Sequence, residues 1–155
     1  MPEDQFTPPP KSPPRIEPGY SALPLVYSCS GCSDVAQLAN TLAVRLDREH
    51  FAEMSCIAGV GGGVRPLLRT AQSGRKIIAL DGCPLHCAKH CLDQAGVAAN
   101  LHIDLSKTGI KKRFHQEATP EEVERAWKNA VLPALAMLAA TEACKGDGAV
   151  RAEGI

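Results

Sequence analysis

Cysteine spacing is the strongest chemical signal in this chain, which has 155 residues and seven cysteines. Cys29 and Cys32 directly follow a predicted strand and are separated by two residues. This spacing lets two sulfurs turn to one side and clamp a single metal ion. Gly31 permits the tight turn that such a clamp needs. The same spacing also occurs in redox motifs, so taken alone it does not choose between metal binding and thiol chemistry.

Other cysteines map to the same edge of the predicted fold. Cys56 lies near the end of the second predicted strand, Cys83 ends the third, and Cys87 and Cys91 lie on the helix that follows. On a helix, Cys83 and Cys91 would be about 12 Å apart along the axis, so one ion cannot bind both. Ligands in open α/β sheets bind at the carboxyl ends of the strands. The predicted metal ligands are Cys29, Cys32, Cys83 and Cys87, with Cys56 as a fifth member, either a ligand in exchange or a free thiol.

Residues around this set have weaker signals. For Cys91, a ligand and a small buried apolar residue are equally good interpretations. Cys144 lies far along the chain and is interpreted as structural or incidental. His86 and His90 neighbour the cysteines and could ligate a metal or act as an acid–base pair, although an ordinary histidine is favoured for each. Asp81 could accept a hydrogen bond from a ligand or simply end a strand.

Strand-like and helix-like patterns alternate along the chain and predict βαβ units. The predicted strands cover residues 23–27, 54–58, 76–80 and 97–105, and the predicted helices cover 34–48, 64–73, 84–94 and the segment after Thr119. Asp34 with Gln37 has the spacing of a capping box, and so does Thr119 with Glu122. Pro133 should kink the last helix or mark a step in it. The fold class is α/β, a small three-layer, Rossmann-like or flavodoxin-like parallel sheet of about four strands with helices on both faces.

Composition along the chain predicts one domain between two tails. Residues 1–19 are rich in proline and should form a disordered tail. Residues 20–144 should form a single α/β metal-binding domain, and residues 145–155 a flexible C-terminal tail. The glycine run 59–63 is predicted to be a flexible loop.

Charge and hydropathy exclude several classes of function. The formal net charge is zero and the densest basic run, 111–113, is short, so we expect no nucleic-acid partner. The longest apolar stretch lies within 129–140 and is broken by Pro133, so we expect no membrane span. The first residues lack the basic and apolar regions of a secretory signal, which predicts a cytoplasmic protein. In that reducing compartment, metal binding or thiol chemistry explains the cysteines better than structural disulfides do.

The motifs, taken in order, resemble the DGC-domain family, whose members are described as zinc-binding proteins. The resemblance covers residues 23–115, and the family takes its name from a central Asp-Gly-Cys motif. The matching blocks are Cys29-Ser-Gly-Cys32-Ser-Asp34, Gln37-Leu-Ala-Asn40, Cys56 before Gly59–Gly63, and Asp81-Gly82-Cys83-Pro-Leu-His-Cys87-Ala-Lys89. The resemblance implies that Cys29, Cys32, Cys83 and Cys87 are the family's proposed ligands, and Cys56 also matches.

The favoured function is therefore zinc binding by a cysteine-thiolate cluster, in a storage, sensing, delivery or structural role. An iron–sulfur cluster is the first alternative, because four thiolates suit it equally well in number. The second alternative is a thiol-based redox or sulfur-transfer enzyme that uses Cys29 and Cys32. Whether the chain catalyses a reaction stays open, and no catalytic residue or organic cofactor is predicted. The expected partner is a metal ion, with a protein partner or a homodimer as further possibilities.

Overall fold

The structure is a computed structural model that describes residues 19–146, with the side chains of 142–146 outside the description. The predicted tail over residues 1–19 therefore lies outside the described residues except for its last position. The same holds for the predicted tail over 145–155, apart from residues 145 and 146, which belong to the last helix. The side chain of Cys144 is also outside the description. Within the described part of the chain, no helix has both the length and the apolar character needed to cross a membrane.

Four parallel strands form one sheet and confirm the predicted α/β class. The strands are β1 (Leu25–Ser28), β2 (Glu53–Met54), β3 (Ile77–Asp81) and β4 (Leu101–Asp104), in the order β2-β1-β3-β4. Every pairing is parallel. The two central strands, β1 and β3, are buried along their whole length. Because all four strands run the same way, their carboxyl ends meet at one edge of the sheet.

Helices cover both faces of the sheet. They are α1 (Asp34–Arg48), α2 (Ile57–Gly61), α3 (Arg65–Ala71), α4 (Cys87–Gln94), α5 (Pro120–Ala126) and α6 (Leu132–Gly146). A π-helical segment, Trp127–Val131, joins α5 to α6 just before Pro133, which agrees with the step predicted there. Alternate residues of β1 point to opposite faces, so Val26 packs in the core under α1 while Tyr27 packs in a second core on the other face.

The first helix has the predicted bounds, but its cap differs from the prediction. Ser33, not Asp34, is the N-cap, and its Oγ accepts a hydrogen bond from the Ala36 amide at 3.4 Å. Asp34 is the first helical residue and has another role, described below. The capping box of Thr119 and Glu122 is confirmed.

Four other predictions are wrong: the extents of two strands and one helix, and the flexible loop predicted over residues 59–63. The second strand ends at Met54, because residues 57–61 coil into α2. The glycine run is therefore mostly helical: Gly59 packs under Leu67, whose Cδ1 would lie 1.9 Å from an added Cβ. The helix after β3 begins at Cys87 and not at Pro84, so 82–86 form a turn. The fourth strand begins only at Leu101, because Asn100 bonds to Ile77 through both its amide and its side chain.

Candidate metal and thiol site

The cysteines differ widely in exposure, although five of them lie close to strand ends. Cys29 follows β1 directly and is buried, whereas Cys32, just before the cap of α1, is exposed. Cys56 is the exposed N-cap residue of α2. Cys83, two residues beyond β3, is half-buried, and Cys87 is the exposed first residue of α4. Half-buried Cys91 lies on α4 against α2, since its Sγ would be 3.0 Å from a Cβ at Gly61.

The Cys29 thiol is held in a neutral, hydrogen-bonded state. Its Sγ accepts a hydrogen bond from the Gly82 amide at 3.1 Å. Burial raises the pKa of this thiol from 9.0 to about 12, against the lowering effect of the Gly82 hydrogen bond. The charges of Asp81, Cys83 and Cys87 raise the pKa further, which places all three groups within electrostatic range of the Cys29 sulfur. Thiols from the ends of two adjacent strands therefore share one neighbourhood.

Gly82 is buried where the turn after β3 passes the first turn of α1. A Cβ at this position would lie 2.2 Å from the Val35 carbonyl oxygen and 2.9 Å from the Ala36 amide nitrogen. Both are backbone atoms, which cannot rotate away as a side chain can. Only glycine therefore allows this approach, which also brings the Gly82 amide to the Cys29 sulfur.

Asp81 fastens the other side of the turn. Its carboxylate is completely buried and accepts hydrogen bonds from the Ala88 amide at 2.8 Å and the Lys89 amide at 3.1 Å. These amides belong to the first turn of α4 and have no partner within the helix. The carboxylate also lies 3.0 Å from His102 Nε2. Asp81 thus ties the end of β3 to the start of α4 and fixes the backbone on which Cys87 sits.

A second histidine–carboxylate pair lies beside the first. His86 Nε2 is 3.0 Å from Asp104, and the rings of His86 and His102 meet edge to face with centroids 4.7 Å apart. Burial alone would raise the pKa of Asp104, but hydrogen bonds from Ser106 and His86 outweigh it and lower the pKa. No motif or spacing in the sequence indicates that His102 belongs to the site. The two histidine–carboxylate pairs lie side by side because Asp81 and Asp104 are aligned at the ends of β3 and β4.

The segment after β4 brings a cation to Cys83. Lys112 Nζ donates to Cys83 Sγ at 3.7 Å, and Arg113 anchors the segment on the start of α1. Arg113 donates from its amide at 2.7 Å and from Nε at 2.6 Å to the buried carboxylate of Asp34. Burial would raise the pKa of Asp34, but these hydrogen bonds, together with one from Val35, lower it. Two residues of the basic run 111–113, Lys112 and Arg113, are therefore part of the site.

The predicted ligands are gathered but do not converge. Among the described residues, no three side chains of His, Cys, Asp or Glu are placed so that they could hold one metal ion. Cys29, Cys83 and Cys87 lie in one neighbourhood. Cys32 is exposed on the loop between Cys29 and α1. Sulfur ligands suit zinc or iron. Because the thiols do not converge on one point, binding of either metal would require the loops after β1 and β3 to move closer together.

Comparison with known proteins adds a family and a relative. The family model described as DGC domain matches residues 25–130. A protein of Pseudomonas aeruginosa, "Anaerobic and virulence modulator AnvM", is 62% identical over 103 residues, which cover 66% of this chain and 79% of that protein. No solved structure matches the chain.

Proposed function

Because the chain belongs to the DGC-domain family, we propose that it is a metal-binding protein that holds zinc through cysteine thiolates at the carboxyl edge of its sheet. The observation that carries the proposal is the shared neighbourhood of Cys29, Cys83 and Cys87, which come from the ends of two adjacent strands. Cys32, on the loop after Cys29, is the fourth proposed ligand. Cys56, the exposed N-cap residue of α2, is a fifth thiol.

Binding through Cys29 requires that this thiol lose its proton. Its pKa of about 12 keeps it protonated near neutral pH. A bound zinc ion stabilises thiolates strongly enough to remove the proton, so metal uptake should release protons. A site filled by four thiolates leaves zinc no open position for a substrate. We therefore favour storage, sensing, delivery or a structural role over catalysis. The name of the Pseudomonas relative, a modulator, favours sensing among these roles.

The test is metal content in a protein purified without oxygen or chelator. We expect about one zinc per chain, lost in Cys83→Ser and retained in Cys56→Ser. The second variant is a matched control, because it removes an exposed thiol that is not among the groups acting on Cys29. Protons released on adding zinc to the metal-free protein give an independent readout.

Other results would change or overturn the proposal. Iron with visible absorbance that disappears in Cys83→Ser would replace zinc by an iron–sulfur cluster. Negligible metal in the anaerobic protein, with no proton release on adding zinc, would refute metal binding. Equal metal loss in the Cys83 and Cys56 variants would show that the ligand set is wrong.

A further inference from the structure

A chain of hydrogen bonds leads from the edge strand β4 to the helix that carries Cys87. It begins at His102 on β4, whose Nε2 lies 3.0 Å from the Asp81 carboxylate at the end of β3. The same carboxylate accepts hydrogen bonds from the Ala88 amide at 2.8 Å and the Lys89 amide at 3.1 Å. Cys87 directly precedes these two residues and is the first residue of α4. One side chain therefore connects His102 to the turn that carries Cys87.

The start of α4 depends on Asp81 because the residue at the N-cap position does not cap the helix. His86 occupies that position in a left-handed conformation, with φ +48°, and its side chain makes no capping hydrogen bond. Its imidazole pairs instead with Asp104, with 3.0 Å between Nε2 and the carboxylate. The first amides of a helix have no partner within it, and here a carboxylate from another strand supplies one. Movement of Asp81 should therefore loosen the first turn of α4.

Asp81 depends in turn on His102. The Asp81 side chain is only 1% exposed, so water cannot replace a hydrogen bond that it loses. Its Oδ1 accepts from the Ala88 amide, whereas Oδ2 is shared by the Lys89 amide and His102. Because an ionised carboxylate only accepts hydrogen bonds, the proton between the two side chains belongs to His102 Nε2. Loss of the imidazole would leave Oδ2 with one donor and would free the carboxylate to turn.

The His102 ring is itself held in one orientation. Its backbone belongs to β4, where His102 is aligned with Ala79 of β3. Its ring meets the His86 ring edge to face, with centroids 4.7 Å apart. The side chain is 23% exposed, so most of the imidazole is enclosed by the protein. A ring that is fixed by the sheet and by a second imidazole is a rigid support for the carboxylate that it contacts.

We propose that His102 is a positioning residue for Cys87. It holds the Asp81 carboxylate, the carboxylate holds the first turn of α4, and this turn sets where the Cys87 sulfur lies. The inference rests on the proposed function, since Cys87 is one of the four proposed zinc ligands. Side chains that support a metal site without binding the metal are typically worth about 10–100-fold in metal affinity. His102 should therefore set the strength of zinc binding although it supplies no ligand.

Three variants of the full chain test this role. His102→Leu removes the donor, and His102→Gln restores an N–H donor. His90→Leu is the matched control, because it removes an exposed imidazole of α4. Zinc dissociation constants are measured on reduced protein by competition with a chelating dye, well below the melting temperature. We expect zinc to bind about tenfold more weakly to His102→Leu, within about threefold of wild type to His102→Gln, and unchanged to the control.

Hydrogen exchange of the metal-free protein gives a readout that does not need zinc. The Ala88 and Lys89 amides should exchange about tenfold faster in His102→Leu and close to the wild-type rate in His102→Gln. Amides in the middle of α1 should keep their rates in all variants. This comparison separates a local effect on α4 from a general loss of stability.

The other outcomes separate the two proposals. Equal zinc binding and equal exchange in His102→Leu and His90→Leu would overturn the role of His102. A His102→Leu protein that is less stable throughout, but whose folded form binds zinc as tightly as wild type, would also overturn it, because the contact would then only stabilise. Absence of rescue in His102→Gln would overturn the hydrogen bond as the cause. A wild-type chain that takes up no zinc would refute the proposed function, and exchange at Ala88 and Lys89 would then decide whether His102 positions the start of α4.

Discussion

Replacing Gly82 by alanine is the sharpest test of how this site is built. Gly82 does not have a positive φ, so alanine meets no backbone strain there. The main penalty comes from a Cβ placed 2.2 Å from the Val35 carbonyl oxygen. Overpacking of this kind costs about 1–3 kcal/mol. Moving the turn away also weakens the hydrogen bond from Gly82 to Cys29, worth about 1 kcal/mol. We therefore expect a loss of about 3 kcal/mol, or a fall in Tm of about 10 °C.

Urea unfolding under reducing conditions measures this loss. Trp127, the one tryptophan of the chain, is buried and reports unfolding by fluorescence. Gly31→Ala is the matched control, because its added Cβ would meet only the Ala36 Cβ at 3.9 Å. It should change stability by no more than about 0.5 kcal/mol. Alkylation of Cys29 should also speed up in Gly82→Ala and not in the control. Equal stability of the two variants would refute the close approach of the turn to α1.

Three further results are expected. Asp81→Asn should cost about 2–3 kcal/mol and speed hydrogen exchange at the Ala88 amide, whereas Asp93→Asn, in an exposed ion pair, should cost about 0.5 kcal/mol or less. The contribution of Cys29 to stability should be constant below pH 9.0 and be lost as pH rises towards 12, by up to about 4 kcal/mol, because the folded chain favours the neutral thiol; urea titrations between these pH values should show a smaller slope in Cys29→Ala. Chelation of metal should leave a cooperative thermal transition by circular dichroism, because two apolar cores hold the helices against the sheet; a non-cooperative melt would contradict this.

Local patterns were sufficient to predict the fold class. The spacing of apolar residues predicted the bounds of α1, and the alternation of strands and helices predicted the parallel sheet. The helical glycine run could not be predicted, because glycine has a low intrinsic helix propensity. Its helix exists because Gly59 leaves room for Leu67 and Gly61 leaves room for Cys91. Tertiary packing therefore overrides the local preference at α2.

The candidate site was predictable only in part, since its supporting contacts join distant segments. The order of the strands places Cys29 close to Cys83, as the sequence suggested. The pairing of His102 with Asp81 spans 21 residues and depends on the register of two strands. The start of α4 also depends on that carboxylate, since no local residue caps the helix. Such contacts follow from three-dimensional proximity and leave no spacing pattern in the sequence.

The Asp-Gly-Cys motif thus combines three different tasks at the end of one strand. Asp81 fixes the helix that carries Cys87, Gly82 brings the turn against α1 and bonds to Cys29, and Cys83 offers a sulfur to the site. Two of the three residues therefore position thiols and do not bind a ligand themselves. These contacts hold the thiols in one neighbourhood. Substitution of Asp81 or Gly82 should therefore weaken metal binding even though neither residue supplies a ligand.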